Sequence, residues 1–307
     1  MTAVAAGPRL SWWARRTAVT VPELSPRLHL ARGALIGLSV VCVSLLVQML
    51  VVSNLQQRAA QQQAFDRFRG ELAAGTAPIG PTGRDARRLA PATPIAYLEI
   101  PSIGLRQVIG EGTTPSDLFS GPGHRRDSPF PGQVGASVVL GRRSSFGGPF
   151  ARIDELRSGA LIHVTTGQGE FDYRVMGQRK EGDPVPPPAE PGGGRLLLVT
   201  ADGRPFMPAG VLRVDAELAN DTPAVGGPAP LVAASGLPAA EQVMGADTST
   251  VWALVFWLQL LTVLAIAAVW AWHQWGRAKA WVVFLPPLLL AGLGATGEAA
   301  RMIPNLL

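Results

Sequence analysis

The chain is short of the residues from which metal and redox sites are built. Its 307 residues include one cysteine, Cys42, and four widely scattered histidines, His29, His124, His163 and His273. A single cysteine excludes an intrachain disulfide framework and any cysteine-held zinc or iron–sulfur centre. The scatter of the histidines argues against a histidine metal site, and no cofactor is expected. Charge is scarce too, at 16% of residues against about 25% in an average soluble domain. Hydrophobic residues reach 47% and the mean hydropathy is +0.22. That excludes a disordered chain and speaks against an ordinary cytosolic enzyme. Lysine is nearly missing, with 2 against 25 arginines, while glycine (35) and proline (27) abound. We read this as the bias of a GC-rich genome and not as a functional signal.

The net charge of +5 and the pI near 10.3 invite a nucleic-acid reading, which the placement of the charge excludes. Residues 1–33 carry five Arg and one Glu, whereas residues 54–249 carry 19 basic and 20 acidic residues. Arg277 and Lys279 supply the rest, and Glu298 and Arg301 cancel. The excess flanks apolar segments, the positive-inside pattern of a membrane protein. A nucleic-acid binder carries a basic stripe on its folded domain.

Those segments organise the chain. Gly33–Val52 is 20 residues without a charge, enough to cross a hydrocarbon core of about 30 Å. It has the form of an uncleaved anchor, giving a cytoplasmic segment at 1–32 and a membrane helix at 33–53 with Cys42 inside it. Residues 54–94 read as a helical stalk, with Phe65, Phe68 and Leu72 on one face, followed by a Pro/Gly linker. Residues 95–218 read as a β domain. Its β-rich runs are Ile95–Ile100, Leu105–Ile109, Ala136–Leu140, Leu161–Thr165, Glu170–Val175, Leu196–Thr200 and Val211–Leu218. Many short strands between Gly/Pro turns predict a sandwich or barrel. Residues 219–249 read as a second linker. Residues 250–272 and 281–297 are two further spans, the second kinked at Pro286-Pro287. A cytoplasmic loop at 273–280 joins them, and 298–307 is an extracytoplasmic tail.

At residues 98–150 the sequence becomes specific. Leu98-Glu99-Ile100-Pro101-Ser102-Ile103-Gly104-Leu105, Glu111-Gly112-Thr113, Gly121-Pro122-Gly123-His124 and Pro131-Gly132-Gln133 resemble the sortase family in order and approximate spacing. So do Val138-Val139-Leu140-Gly141-Arg142-Arg143, Phe146, Pro149-Phe150 and, later, Leu197-Leu198-Val199-Thr200-Ala201. The resemblance covers residues 95–218 and is to sortases of the class E or C kind from GC-rich Gram-positive bacteria. It implies a mainly β protein, a membrane-anchored closed β-barrel ectodomain; with the three hydrophobic segments read as transmembrane α-helices (one N-terminal, two C-terminal), the expected place is a bacterial plasma membrane. It also implies a cysteine transpeptidase. In that family a Cys ends a strand in a T-L-x-T-C pattern, a His follows another strand in an A/G-H-R pattern, and an Arg on the last strand stabilises the oxyanion.

This chain departs from the pattern at all three places. The Thr-Cys site reads Thr200-Ala201 and the Gly-His-Arg site reads Gly141-Arg142-Arg143. On the last strand Leu212, Val214, Ala216 and Leu218 alternate as a core face. Aligning that strand with the family's pattern places Val211 where the resemblance implies the arginine. Arg213 lies on the same face one side-chain period away, roughly 6.6 Å along the strand. A thioester intermediate needs a thiolate, and an arginine does not exchange protons as an imidazole does. Ala201, Arg142 and Val211 therefore read as a degenerate triad, and the protein as a pseudoenzyme.

Thr200, Ser144 and Ser145 are replacement nucleophiles only if a base is placed beside them, and none is evident. His124 reads as a turn-capping or surface residue and His163 as exposed on a strand. Arg125-Arg126 and Arg142-Arg143 form a basic patch unless Asp127, Asp154 and Glu155 neutralise it. The expected groove is floored by Thr200, Ala201 and Val211 and rimmed by Arg142, Arg143 and Arg213. The first functional reading is a binding or scaffold subunit for secreted or cell-envelope proteins. Its partners would be the lipid bilayer and a peptide of a secreted or surface protein, or another membrane subunit, with no nucleic acid. The alternatives are a residual transpeptidase or hydrolase of non-standard chemistry, and a structural subunit acting through its C-terminal helices.

Overall fold

Alternation of apolar and polar residues over short runs builds the centre of the structure. The computed structural model describes residues 46–83, 85–187, 190–219, 224–227 and 236–307. Most of the predicted span at 33–53, with Cys42, lies outside these residues. Eight strands follow: β1 (Pro94–Ile100), β2 (Leu105–Glu111), β3 (Gly123–His124), β4 (Gly135–Leu140), β5 (Leu161–Thr166), β6 (Gly169–Arg179), β7 (Gly194–Arg204) and β8 (Met207–Leu218). They close into one barrel in the order β1-β2-β3-β4-β7-β8-β6-β5. Neighbours are antiparallel except β2 with β3 and β4 with β7. Closure removes the free sheet edges that would otherwise template aggregation. The interior is filled by Leu98, Ile100, Ile109, Val139, Ile162, Val164, Tyr173, Leu196, Leu198, Leu212 and Val214, among others.

Strand β3 was not among the predicted runs. It is two residues long, too short for a periodic signal, and is held by a close approach of backbone. A Cβ on Gly123 would stand 2.1 Å from the Gly112 carbonyl oxygen, so only glycine fits there.

The predicted stalk is not free-standing. A π-helical turn, Gln48–Val52, leads into α1 (Ser53–Ala73). One face of α1 lies on the barrel. Gln61 accepts from the Val108 amide at 2.7 Å. Its Nε2 donates to the carbonyls of Val108 (3.1 Å) and Ser120 (2.7 Å). Gln57 Nε2 donates to Gln107 Oε1 at 2.8 Å. Phe68 is fully buried, and the Phe65 ring lies 5.2 Å from that of Tyr97.

The second linker also packs on the barrel where it is described. Val225 bridges to Gln133. A 3-10 turn, Ala239–Glu241, is fixed by the Thr113 hydroxyl, which donates to the Glu241 carbonyl at 2.7 Å. The Arg126–Glu241 ion pair at 3.4 Å adds to this.

Two helices close the chain, α2 (Val251–Trp275) and α3 (Arg277–Arg301). Their segments Val251–Trp272 and Ala278–Arg301 are long and apolar enough to cross a membrane. The expected loop at 273–280 is reduced to Gly276, whose φ of 82° reverses the chain in one residue, a conformation glycine adopts without strain. Lys279 thus belongs to the first turn of α3. The helix continues through Pro286 and Pro287 to Arg301, so the tail begins at 302 and not at 298. Trp257 packs onto α3 at Gly294, where a Cβ would come within 2.5 Å of the indole ring. Small residues let membrane-type helices approach this closely.

Candidate functional site

Ala201 and Val211 lie on the outer face of β7 and β8, and Arg142 follows the end of β4; these are the three positions read from the resemblance as a degenerate triad. Ala201 on β7 is directly opposite Val211 on β8, and Thr200 is opposite Leu212. β4 runs parallel to β7 and ends with Leu140 beside Val199. The chain leaves β4 at Gly141, whose amide donates to the Val199 carbonyl at 3.0 Å. The Thr200 hydroxyl donates to the Gly141 carbonyl at 2.8 Å. Gly141 is required by space, since a Cβ would stand 2.5 Å from the Phe150 ring. These bonds bring Arg142 off the end of β4 near Ala201, so the three positions share one end of the face.

Arg142 does not rim a groove. It is fully buried, 0% exposed. Its Nη1 donates to Ser145 Oγ at 2.9 Å and its Nη2 to the Pro115 carbonyl at 3.0 Å. Its guanidinium lies 5.0 and 5.1 Å from the ring centroids of Phe119 and Phe146, within the range of cation–π attraction. The two rings are themselves stacked at 4.0 Å. Phe146 adopts φ 49°, a left-handed conformation that a bulky residue holds only when its surroundings demand it. Among the described residues Arg142 has no ion-pair partner, and its Nε lacks a hydrogen bond. Burial pulls its pKa down to about 9, which leaves it a cation at neutral pH. It can donate hydrogen bonds and charge, but it cannot act as a base there.

The other basic residues are largely neutralised. Arg143 pairs with Asp154 at 2.8 Å, Arg125 with Asp127 at 2.5 Å and Arg126 with Glu241 at 3.4 Å. Arg213 is half-buried opposite Val199 and Arg179. Burial, then the Arg179 charge, pushes its guanidinium below the usual range. His124 is not on the surface, though its ring bonds across the turn that follows it. It is buried, with Nδ1 2.9 Å from Glu111 Oε2 and Nε2 within reach of Ser128 Oγ and the Pro129 carbonyl. His163 is half-exposed on β5, paired with Asp172.

Of the expected floor, Ala201 and Val211 are covered from outside, whereas Thr200 alternates onto the interior side with Leu198 and Leu212. All three are buried. The cover is the last segment of the chain, with Leu306 fully buried in a cluster of Leu118, Val138, Leu140, Val199, Ala201 and Val211. The Arg143 amide donates to the Leu306 carbonyl at 2.9 Å, and the Ser145 amide to the Leu307 carbonyl at 3.1 Å. The Ser145 hydroxyl also donates to Leu307. Asn305 is fully buried; its Nδ2 donates to the carbonyls of Thr113 and Gln242, each at 2.8 Å. Ser145 is thus the hydroxyl nearest the Arg142 cation, and both its hydrogen-bonding directions are taken. The sequence reading missed Leu306, Asn305, Phe119 and Phe146. The one available signal was the apolar run Ile303-Pro304-Asn305-Leu306-Leu307 after the last charge, which fits poorly in a solvated tail.

Residues 98–204 match the family profile described as Sortase domain. Over 79 residues the chain is 38% identical to Sortase D of Bacillus subtilis (strain 168). That stretch covers 26% of this chain and 38% of the length of the relative. A solved Clostridium perfringens Sortase D5 transpeptidase is 21% identical with a TM-score of 0.44, covering 53% of this chain and 99% of that one. Sortase E from Streptomyces avermitilis is 28% identical with a TM-score of 0.37, covering 43% of this chain and 91% of that one.

Proposed function

From a chain that carries a sortase domain over residues 98–204, we propose a membrane-held, non-catalytic member of that family that binds a protein segment instead of cutting it. One observation carries the reading: where the resemblance calls for a thiol and an imidazole, the chain converges Ala201, opposite Val211, and a buried Arg142. A methyl group cannot attack a carbonyl, and Arg142 stays protonated. The only cysteine, Cys42, lies outside the barrel sequence. What remains is an apolar face with backbone amides along one edge, which suits an extended peptide. The C-terminal helices hold the domain at a membrane as part of an envelope assembly.

The test uses the full chain in nanodiscs. Incubated with sorting-signal peptides and an amine acceptor, it should give neither hydrolysis nor transfer and no covalent adduct by intact mass. Steady turnover by the unmodified chain overturns the reading. So does turnover lost on Ser145→Ala, which would identify a serine enzyme.

A further inference from the structure

Leu306 and its neighbours do more than fill a void. The segment is bound as a peptide ligand is bound, with a side chain in an apolar pocket, a polar side chain read by fixed groups, and main-chain bonds along an edge. We propose that residues 303–307 are a ligand of the groove held in cis, and that the groove recognises an Asn-Leu-Leu segment held in a turn. A protein partner presenting that chemistry would then bind only by displacing them. This rests on the reading above that the groove binds and does not cut.

Each recognition element is on the page. The amides of Arg143 and Ser145, two residues apart, donate to the carbonyls of Leu306 and Leu307. Residues 304–307 form a tight turn, in which the Leu307 amide donates to the Pro304 carbonyl at 3.1 Å, and the turn presents two successive main-chain oxygens to these amides, a contact indifferent to side chains. Selectivity comes from two pockets. Leu306 enters the space beside Ala201 and Val211, which any charged side chain would enter at a desolvation cost. Asn305 is read by two carbonyls, of Thr113 and Gln242, both accepting from its Nδ2. An aspartate at that position would set an acceptor against two acceptors in a buried site and be rejected. The Asn305 amide donates to the Gly245 carbonyl at 2.8 Å. The segment 236–245 thus forms one wall of the pocket, and Arg126–Glu241 fastens that wall to the barrel.

The occupant is tethered. Met302 follows α3 directly, and the Asp247 amide donates to the Arg301 carbonyl at 3.2 Å. A ligand on so short a tether has a high effective concentration, about millimolar. A partner must exceed that or act when the tether is drawn away.

The experiment follows binding of a fluorescein-labelled peptide of residues 300–307 to the full chain in nanodiscs and to a variant ending at Met302. The unmodified chain should show little binding. The shortened chain should bind saturably, at least about tenfold more tightly. A peptide carrying Asn305→Asp or Leu306→Asp should bind it about tenfold more weakly or worse. A shortened chain that melts like the original but binds no peptide overturns the proposal, as does equal binding by both chains. If the shortened chain does not fold, the full-length variant Leu306→Asp takes its place. Hydrogen exchange on the unmodified chain needs no variant. The Arg143 and Ser145 amides should be protected and should lose protection together as residues 303–307 open, and exchange as fast as in an exposed loop overturns the proposal. Peptide cleavage by the shortened chain would instead defeat the non-catalytic reading and leave the cis ligand standing.

Discussion

Arg142 shows how far in sequence the surroundings of one residue can lie. Read from sequence it is a charged residue after a strand, and charged residues are mostly exposed. Its burial comes from Phe119, Phe146, Ser145 and the Pro115 carbonyl, none of which periodicity links to it. An arginine at this position was therefore legible, and the loss of an accessible rim was not. A buried cation without a carboxylate partner adds little net stability, because desolvation opposes its hydrogen bonds. Arg142→Met should change stability by no more than about 1 kcal/mol, whereas Arg142→Ala, which opens a cavity beneath two rings, should lose about 3 kcal/mol. Thermal unfolding of the two full-length variants checks the order. Ala201→Cys, made with Cys42→Ser, should yield a thiol shielded by Leu306. Its reaction with a thiol reagent should be at least about tenfold slower than that of free cysteine and should recover when residues 303–307 are removed.

At the scale of elements, sequence pattern and packing part company where a contact is remote. The strands of the barrel were legible because each carries its own alternation. On β4 and β7 the alternation fades, since Leu197, Val199 and Ala201 are covered outside as Leu196 and Leu198 are inside, and a strand buried on both faces reads as continuously apolar. That unbroken run was a sign of a cover within the strands themselves, but nothing in it names residues 303–307, more than a hundred positions away. The docking of α1 was hidden for a related reason, because its grip is polar. Gly121, at φ 146°, would place a Cβ 2.1 Å from the Gln61 carboxamide nitrogen, so the glycine makes room for that side chain. Gln61→Ala strands its backbone partners at Val108 and Ser120 and should lose about 2–3 kcal/mol, seen as a lower melting temperature and faster amide exchange at Val108. The segment 236–245 has its own signature. Burial, opposed by Arg126 and reinforced by Asp117, Glu111 and Asp127, raises the Glu241 pKa above its ordinary value of 4.5, and burial raises that of Asp117. The folded state therefore holds these protons more tightly than the unfolded one. Stability should rise as pH falls from neutral toward about 4.5, and level off below the unfolded value. Glu241→Gln should melt higher than the original chain at neutral pH, with the difference narrowing under mild acid. A gap that widens on acidification contradicts the assignment.

On the scale of the whole molecule, the barrel and the helix hairpin constrain each other through both ends of the hairpin. Residues 236–245 lie on the barrel just before α2, and residues 303–307 enter the groove just after α3. A hairpin that turns at Gly276 puts those two ends on one side and the turn on the other, so the fold needs barrel and tail on the same side whichever way the protein is inserted. Charge predicts the direction. Arg277 and Lys279 stand at the turn and five arginines precede residue 34, whereas the barrel sequence is close to neutral. By the positive-inside rule the turn should face the cytoplasm and the barrel should face out. With Cys42→Ser as background, a single cysteine at exposed Ser158 should react with an impermeant maleimide in intact cells. One at Ala278 should react only after permeabilisation. Labelling of both from outside would mean that α2 and α3 do not span, and that the tail reaches the groove without crossing a bilayer twice. Labelling of Ala278→Cys alone would reverse the protein and place the groove, with its tethered ligand, among cytoplasmic partners instead of exported ones.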